Sequence, residues 1–199
     1  MNCTNIFTTP IWHIPVEKEE IPRIEELRKW ALELEKTDKG EIKSNRNNTF
    51  HSTTNFDWYS IPHYNLLIKK LEFLPKFIFI GGWWINIQHK GDYTTQHIHP
   101  GSDLSFIWYL TDNHNSLVFD HSDYAMTRTR LYEAFKKANN NQHTDHNPLF
   151  PSRMYYHWNW NCKAGDILVF PSDTLHGTDP HNKKEPRISL SGNIIMNYP

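Results

Sequence analysis

Two cysteines in 199 residues cannot form a disulfide framework. Cys3 and Cys162 form no C-x-x-C pair, and neither stands in a Cys/His nucleophile arrangement. Reduced thiols in a cytoplasmic setting are expected. A charge excess of either sign is also missing: 21 basic against 22 acidic residues leave a formal charge of −1. That balance argues against nucleic acid or a membrane surface as an electrostatically recruited partner. No apolar run approaches the roughly 18–20 residues of a membrane-spanning helix. Met1-Asn2-Cys3-Thr4-Asn5 lacks the basic segment and apolar core of a secretory signal, so none is expected.

Aromatic residues are plentiful. Hydrophobic residues reach only 38%, but 8 Trp, 9 Tyr and 11 Phe can build a core, because each buried ring covers a large area. A disordered chain is excluded on the same ground. The length suits one domain over 1–199. The 13 histidines are the compositional oddity. Those in polar stretches such as His143-Thr144-Asp145-His146 read as solvated loop residues.

Residues 1–76 read as a strand followed by helices. Phe7–Val16 suggests an edge strand that tolerates Pro10 and Pro15. Pro22 suits a first helical turn, and Ile24, Leu27, Trp30, Ala31 and Leu34 then recur at helical spacing. The polar stretch 41–58 reads as mostly loop. A second helix is expected from about Ser60, with Pro62 in its first turn and Tyr64, Leu67, Ile68 and Leu71 as its apolar stripe. From residue 77 the period changes to two. Phe77–Ile80, Trp83–Gln88, Leu104–Leu110, Leu117–Phe119, Ile167–Phe170 and Ile188–Met196 read as strands, with Gly81-Gly82 as a turn between the first two. An irregular insert at about 120–160 is expected to hold a short helix over Thr129–Ala138 and a loop over 139–148. The expected fold is mostly β, a barrel or sandwich over 77–199 with the N-terminal helices packed against it.

Two stretches have the character of metal ligands. In Gly91–Pro100, His97 and His99 are two residues apart, so on an extended segment both point to one face. Gly165–Gly177 is a strong strand, then Pro171, a turn and His176. A close pair with a distant third ligand is a common way to leave coordination positions open. Arg187 follows His176 by 11 residues.

These residues resemble those of the Fe(II)/2-oxoglutarate-dependent oxygenases. Gly91 precedes His97 by six positions, as in the prolyl-hydroxylase-like members; Leu104–Leu110 is similar to the strand that follows and ends in Tyr-Leu. Gly165–His176 resembles the strand carrying the distal histidine, and Arg187-Ile188-Ser189 resembles the R-x-S element that anchors 2-oxoglutarate. A narrower likeness is to an H-x-H-P subgroup of bacterial and phage type. Phe7-Thr8-Thr9-Pro10 and Ser44-Asn45…His51-Ser52 carry it. The resemblance implies a double-stranded β-helix (jelly-roll, cupin-like) barrel. It implies Fe(II), 2-oxoglutarate as co-substrate and O2, with a C–H bond of the substrate oxidised and succinate and CO2 released. It implies His97, His99 and His176 as metal ligands, and Arg187, Ser189 and Tyr109 on the co-substrate. No catalytic side chain beyond the metal centre is implied.

One departure stands out. The family's carboxylate position holds His99. Three sites are open: three histidines, two histidines with His99 nearby, or Asp103 as the carboxylate. The three-histidine site is preferred. A metal-binding cupin that does not use 2-oxoglutarate would use much the same residues: Gly91, His97, His99 and Asp103, then Gly165, Pro171 and His176. Arg187 and Tyr109 discriminate, because a guanidinium and a hydroxyl suit a distal carboxylate that such a cupin does not bind. A non-catalytic binding barrel is the third reading.

Trp84, Asn86 and Gln88 share one strand face. They either line the barrel mouth, touching 2-oxoglutarate or substrate, or satisfy one another or face solvent. The aromatic run Tyr155, Tyr156, His157, Trp158 and Trp160 reads as core or lid packing. The substrate, a small molecule or a peptide, and the oligomeric state are not legible.

Overall fold

A computed structural model describes residues 9–41, 46–47, 49–52, 58–114, 116–120 and 157–196. The expected helix over 129–138 and loop over 139–148, with Cys3, Phe7, Thr8, Ser44, Asn45, Tyr155 and Tyr156, lie outside the described residues.

In chain order the elements are β1 (Trp12–Ile14), α1 (Ile21–Thr37), β2 (Arg46–Asn47), β3 (Phe50–His51), α2 (Tyr64–Lys70), β4 (Phe77–Gln88), β5 (Tyr93–His97), β6 (Leu104–Tyr109), β7 (Leu117–Asp120), β8 (His157–Trp160), β9 (Ile167–Pro171), β10 (Leu175–Thr178) and β11 (Arg187–Met196). Among the described residues the strands form two antiparallel sheets. Their orders are β1-β9-β6-β11-β4-β3 and β2-β5-β10-β7-β8. This is the expected double-stranded β-helix.

The period-two pattern divides the larger sheet into two chemically different faces. Trp83, Ile85, Ile87, Phe106, Trp108, Ile167, Val169, Ile188, Leu190 and Ile194 join one apolar core with Ile24, Leu27 and Ala31 of α1 and Leu66 and Leu67 of α2. The intervening residues Trp84, Asn86, Gln88, Ser105, Tyr109, Arg187, Ser189 and Ser191 line a cavity on the other face. A smaller apolar cluster, including Leu117, Phe119, Leu168 and Phe170, packs near that cavity. Helix α1 therefore covers the dry face and leaves the polar face to the site.

Several boundaries differ from the sequence reading. Residues 77–88 form one strand, not two. Gly81 and Gly82 are a bulge inside β4, with Gly82 at φ 73°, and the register against β11 shifts between Gly192 and Asn193. Glycine permits this because it tolerates positive φ and an interrupted ladder. The expected loop 41–58 contains β2 and β3, each of which pairs with a strand from the β-rich part of the chain. Helix α2 starts at Tyr64, after a 3₁₀ turn over Trp58–Ser60. The short strands β8 and β10 carry too few residues for a period to register. β1 is an edge strand as expected, paired with β9 through Trp12↔Val169.

Candidate active site

His97 ends β5 and His176 lies in β10, and the two are direct register partners. Gly177 allows this approach: a Cβ there would stand 2.8 Å from the Thr94 carbonyl oxygen. His99 lies two residues past β5, its backbone N–H donating to the Ser172 carbonyl at 2.8 Å. The ring centroids are 4.9 Å apart for His97–His99, 4.4 Å for His97–His176 and 5.1 Å for His99–His176. One nitrogen from each ring lies within 4.8 Å of the others, which suits a shared metal ion.

Tautomers follow from the partners. His97 Nδ1 is 2.9 Å from the Thr95 carbonyl, and His176 Nδ1 is 2.8 Å from the Thr174 carbonyl. A carbonyl only accepts, so each Nδ1 carries the proton and each Nε2 keeps its lone pair for a ligand. His99 is held differently. Its ring packs on Trp84 at 5.6 Å, and Trp84 stacks in turn on buried His51 at 5.7 Å. Asp103 lies outside the converging group. Its Oδ2 accepts from the Met196 backbone N–H at 2.7 Å, at the far end of β11.

Arg187 begins β11 with only 3% of its surface exposed. Its Nε donates to Gln88 Oε1 at 2.7 Å and its Nη2 to the Asp179 carbonyl at 3.0 Å. Its Nη1 is buried with no hydrogen-bond partner among the described residues. Burial lowers its pKa to about 10, offset in part by Tyr109 and Asp179. Tyr109, also buried, lies in register with Ser189. Burial pushes its hydroxyl well above the ordinary tyrosine range, and Cys162 adds to that shift. Both Tyr109 and Ser189 line the same cavity as Arg187 and the three histidines.

The structure thus brings all six expected site residues to one cavity. Trp84, Asn86 and Gln88 line it too; the amides of Asn86 and Gln88 are engaged within the protein, whereas Trp84 Nε1 is buried with no hydrogen-bond partner among the described residues. Gln88 Nε2 lies within 3.2 Å of the hydroxyls of Thr49, Thr94 and Thr178, and Asn86 Nδ2 donates to Ser191 Oγ at 3.3 Å. The sequence reading gave no site role to Thr49, Thr94, Thr178 and His51. Inward polar positions on Thr-rich strand ends were the available signal. Of the aromatic run, Trp160 packs edge-on to Phe119 at 6.3 Å, while Trp158 is exposed.

A second convergent group, His13, Cys162 and Asp166, lies at the β1 edge. Asp166 already accepts the backbone N–H groups of Val16 and Lys163 and faces His13 Nε2 at 3.0 Å. These contacts fasten the edge strand to the turn before β9.

A family model described as "Putative 2OG-Fe(II) oxygenase" matches residues 82–193, more than half the chain and all six site residues. No curated protein matches the sequence. Among solved structures, HygX from Streptomyces hygroscopicus, with nickel and 2-oxoglutarate bound, superposes with a TM-score of 0.57 at 14% identity, over 96% of this chain and 84% of that one. The SnoK carbocyclase of nogalamycin biosynthesis gives 0.61 at 13%, over 94% and 80%. A Pseudomonas putida prolyl-4-hydroxylase gives 0.53 at 12%, over 96% and 95%. At these identities the likeness shows the fold.

Proposed function

This chain belongs to the 2OG-Fe(II) oxygenase family, and we propose that His97, His99 and His176 hold its Fe(II) while Arg187, Ser189 and Tyr109 hold the distal carboxylate of 2-oxoglutarate. The observation that carries the reading is the orphaned Nη1 of Arg187. A buried N–H without an acceptor costs about 1–3 kcal/mol, more when it is charged. A carboxylate from the cavity would supply that acceptor and the countercharge together.

The donor set fits Fe(II). Imidazole nitrogens suit iron, and three protein ligands leave positions for other groups. Iron with 2-oxoglutarate and O2 supplies the oxidising power, giving succinate and CO2 as a substrate C–H bond is oxidised. The protein's own part is placement. The carbonyls of Thr95 and Thr174 orient two rings, Trp84 backs the third, and the apolar face under α1 keeps the sheet rigid.

We read residues 1–199 as one oxygenase domain of the H-x-H-P subgroup. The substrate in this reading is a small molecule or a peptide. Among the described residues no helix is long and apolar enough to cross a membrane. The test is anaerobic: Fe(II) and 2-oxoglutarate together should give a visible charge-transfer band that neither gives alone. Tight binding of both without that band would overturn direct chelation. A screen of candidate pools for a product 16 Da heavier, the mass of one oxygen atom, would then find the substrate.

A further inference from the structure

A buried arginine ordinarily has a carboxylate beside it. Arg187 has two neutral acceptors instead, the Gln88 side-chain carbonyl and the Asp179 backbone carbonyl. The Asp179 carboxylate is turned elsewhere, accepting from Asn159 Nδ2 at 3.0 Å. Gln88 is the register partner of Arg187 at the paired ends of β4 and β11 and is itself 4% exposed. Its amide cannot flip without setting an N–H donor against a guanidinium that only donates. The side chain is anchored from behind by three hydroxyls, with Thr178 Oγ1 the nearest at 2.9 Å.

We propose that Gln88 is a positioning residue for the co-substrate, gripping the Arg187 guanidinium through a neutral oxygen so that Nη1, and a positive charge with no carboxylate hydrogen-bonded to it, remain for the distal carboxylate. The inference rests on the reading of Arg187 as the 2-oxoglutarate anchor. An acidic residue of the same shape would grip as well but would neutralise the charge. The choice of amide over acid at position 88 would therefore set affinity for 2-oxo acids with a second carboxylate and leave those without one unaffected.

The test compares the parent with Gln88→Glu, Gln88→Met and Arg187→Ala in the full chain with Fe(II), without oxygen. Calorimetry measures binding of 2-oxoglutarate and of 2-oxobutyrate, which chelates similarly but lacks the distal carboxylate. Gln88→Glu is isosteric, and threonine hydroxyls can donate to its second oxygen. Its melting temperature should match or exceed the parent's. Its Kd for 2-oxoglutarate should rise roughly tenfold or more, because a like charge now faces the carboxylate. Its Kd for 2-oxobutyrate should stay within about twofold of the parent's. Gln88→Met keeps the charge but drops the grip, so it should show a smaller loss with the same selectivity for 2-oxoglutarate. Should Gln88→Glu not fold, that selectivity in Gln88→Met decides the matter. Equal weakening of both ligands, or an unchanged Kd for 2-oxoglutarate in the folded variant, would overturn the role of Gln88. An unchanged Kd in Arg187→Ala would overturn the anchor itself, whereas weakening there with no effect at position 88 would remove only this inference.

Discussion

His97 and His176 face each other across β5 and β10 as register partners, ring centroids 4.4 Å apart, each holding its Nδ1 proton against the carbonyl two residues earlier. The ladder that pairs the strands therefore also pairs the rings. Replacing either histidine by Ala should abolish Fe(II) binding and 2-oxoglutarate turnover, as read by metal content after dialysis and by succinate release. Succinate production at the parent level in both variants would refute their role.

His99 and Asp103 can be separated in the same way. His99→Ala should lower Fe(II) affinity, because its ring is the third of the converging set. Asp103→Asn should leave affinity at the parent value, because that carboxylate is engaged with the Met196 backbone. The reverse order of effects in a metal titration would transfer the third ligand to Asp103.

Arg187 offers a graded series. Arg187→Ala should cost about 2–4 kcal/mol of 2-oxoglutarate binding, raising the requirement by one to several orders of magnitude. Arg187→Lys keeps the charge without the planar fork and should fall between. Fe(II) affinity should stay near the parent's in both, since the ligands are untouched. Parallel titrations of metal and co-substrate check the order.

His181 predicts a pH dependence of stability. Its N–H and C=O tie the loop before β11 to the turn before β5, bonding Asp92 O and Gly91 N–H, and its Nε2 donates to the Glu185 carbonyl. Burial lowers its pKa below the ordinary 6.5, with the Glu185 bond opposing. A base whose folded pKa is depressed binds fewer protons folded than unfolded. Its stabilisation is complete above about pH 6.5 and is lost as pH falls towards the folded pKa. His181→Gln should cost about 1 kcal/mol at pH 7.5 and flatten the decline in melting temperature below pH 6.5. An unchanged slope in the variant would show that other groups cause the decline.

Leu27 is fully buried between α1 and the larger sheet. Leu27→Ala should cost about 2–5 kcal/mol by urea denaturation. Metal and 2-oxoglutarate affinities of the folded variant should not change, because the site lies on the opposite face of that sheet. A loss of metal affinity in a folded sample would show that the two faces are coupled.

Local rules made the larger elements readable. The stripe Ile24, Leu27, Ala31 has helical spacing and becomes the buried face of α1. Alternation along Leu104–Tyr109 and Arg187–Met196 survives as two faces of one sheet. The bulge at Gly81-Gly82 was misread as a turn because the same glycine permissiveness serves both. β2, β3, β8 and β10 are too short to show a period, and the strands they pair with are distant in sequence.

By itself the sequence determined which residues are available and their local direction: His97 and His99 on one side of an extended segment, a third histidine after a strand, and an arginine opening the last strand. Only the tertiary structure decided that they meet. Strand pairing sets His176 opposite His97 and Arg187 opposite Gln88, contacts spanning 79 and 99 residues of chain. It also decided that Asp103 turns to β11 and that the guanidinium is met by an amide in place of an acid. The physical reason is that side-chain periodicity is a local property of the backbone, whereas the partner of a buried charge is chosen by register between strands distant in sequence.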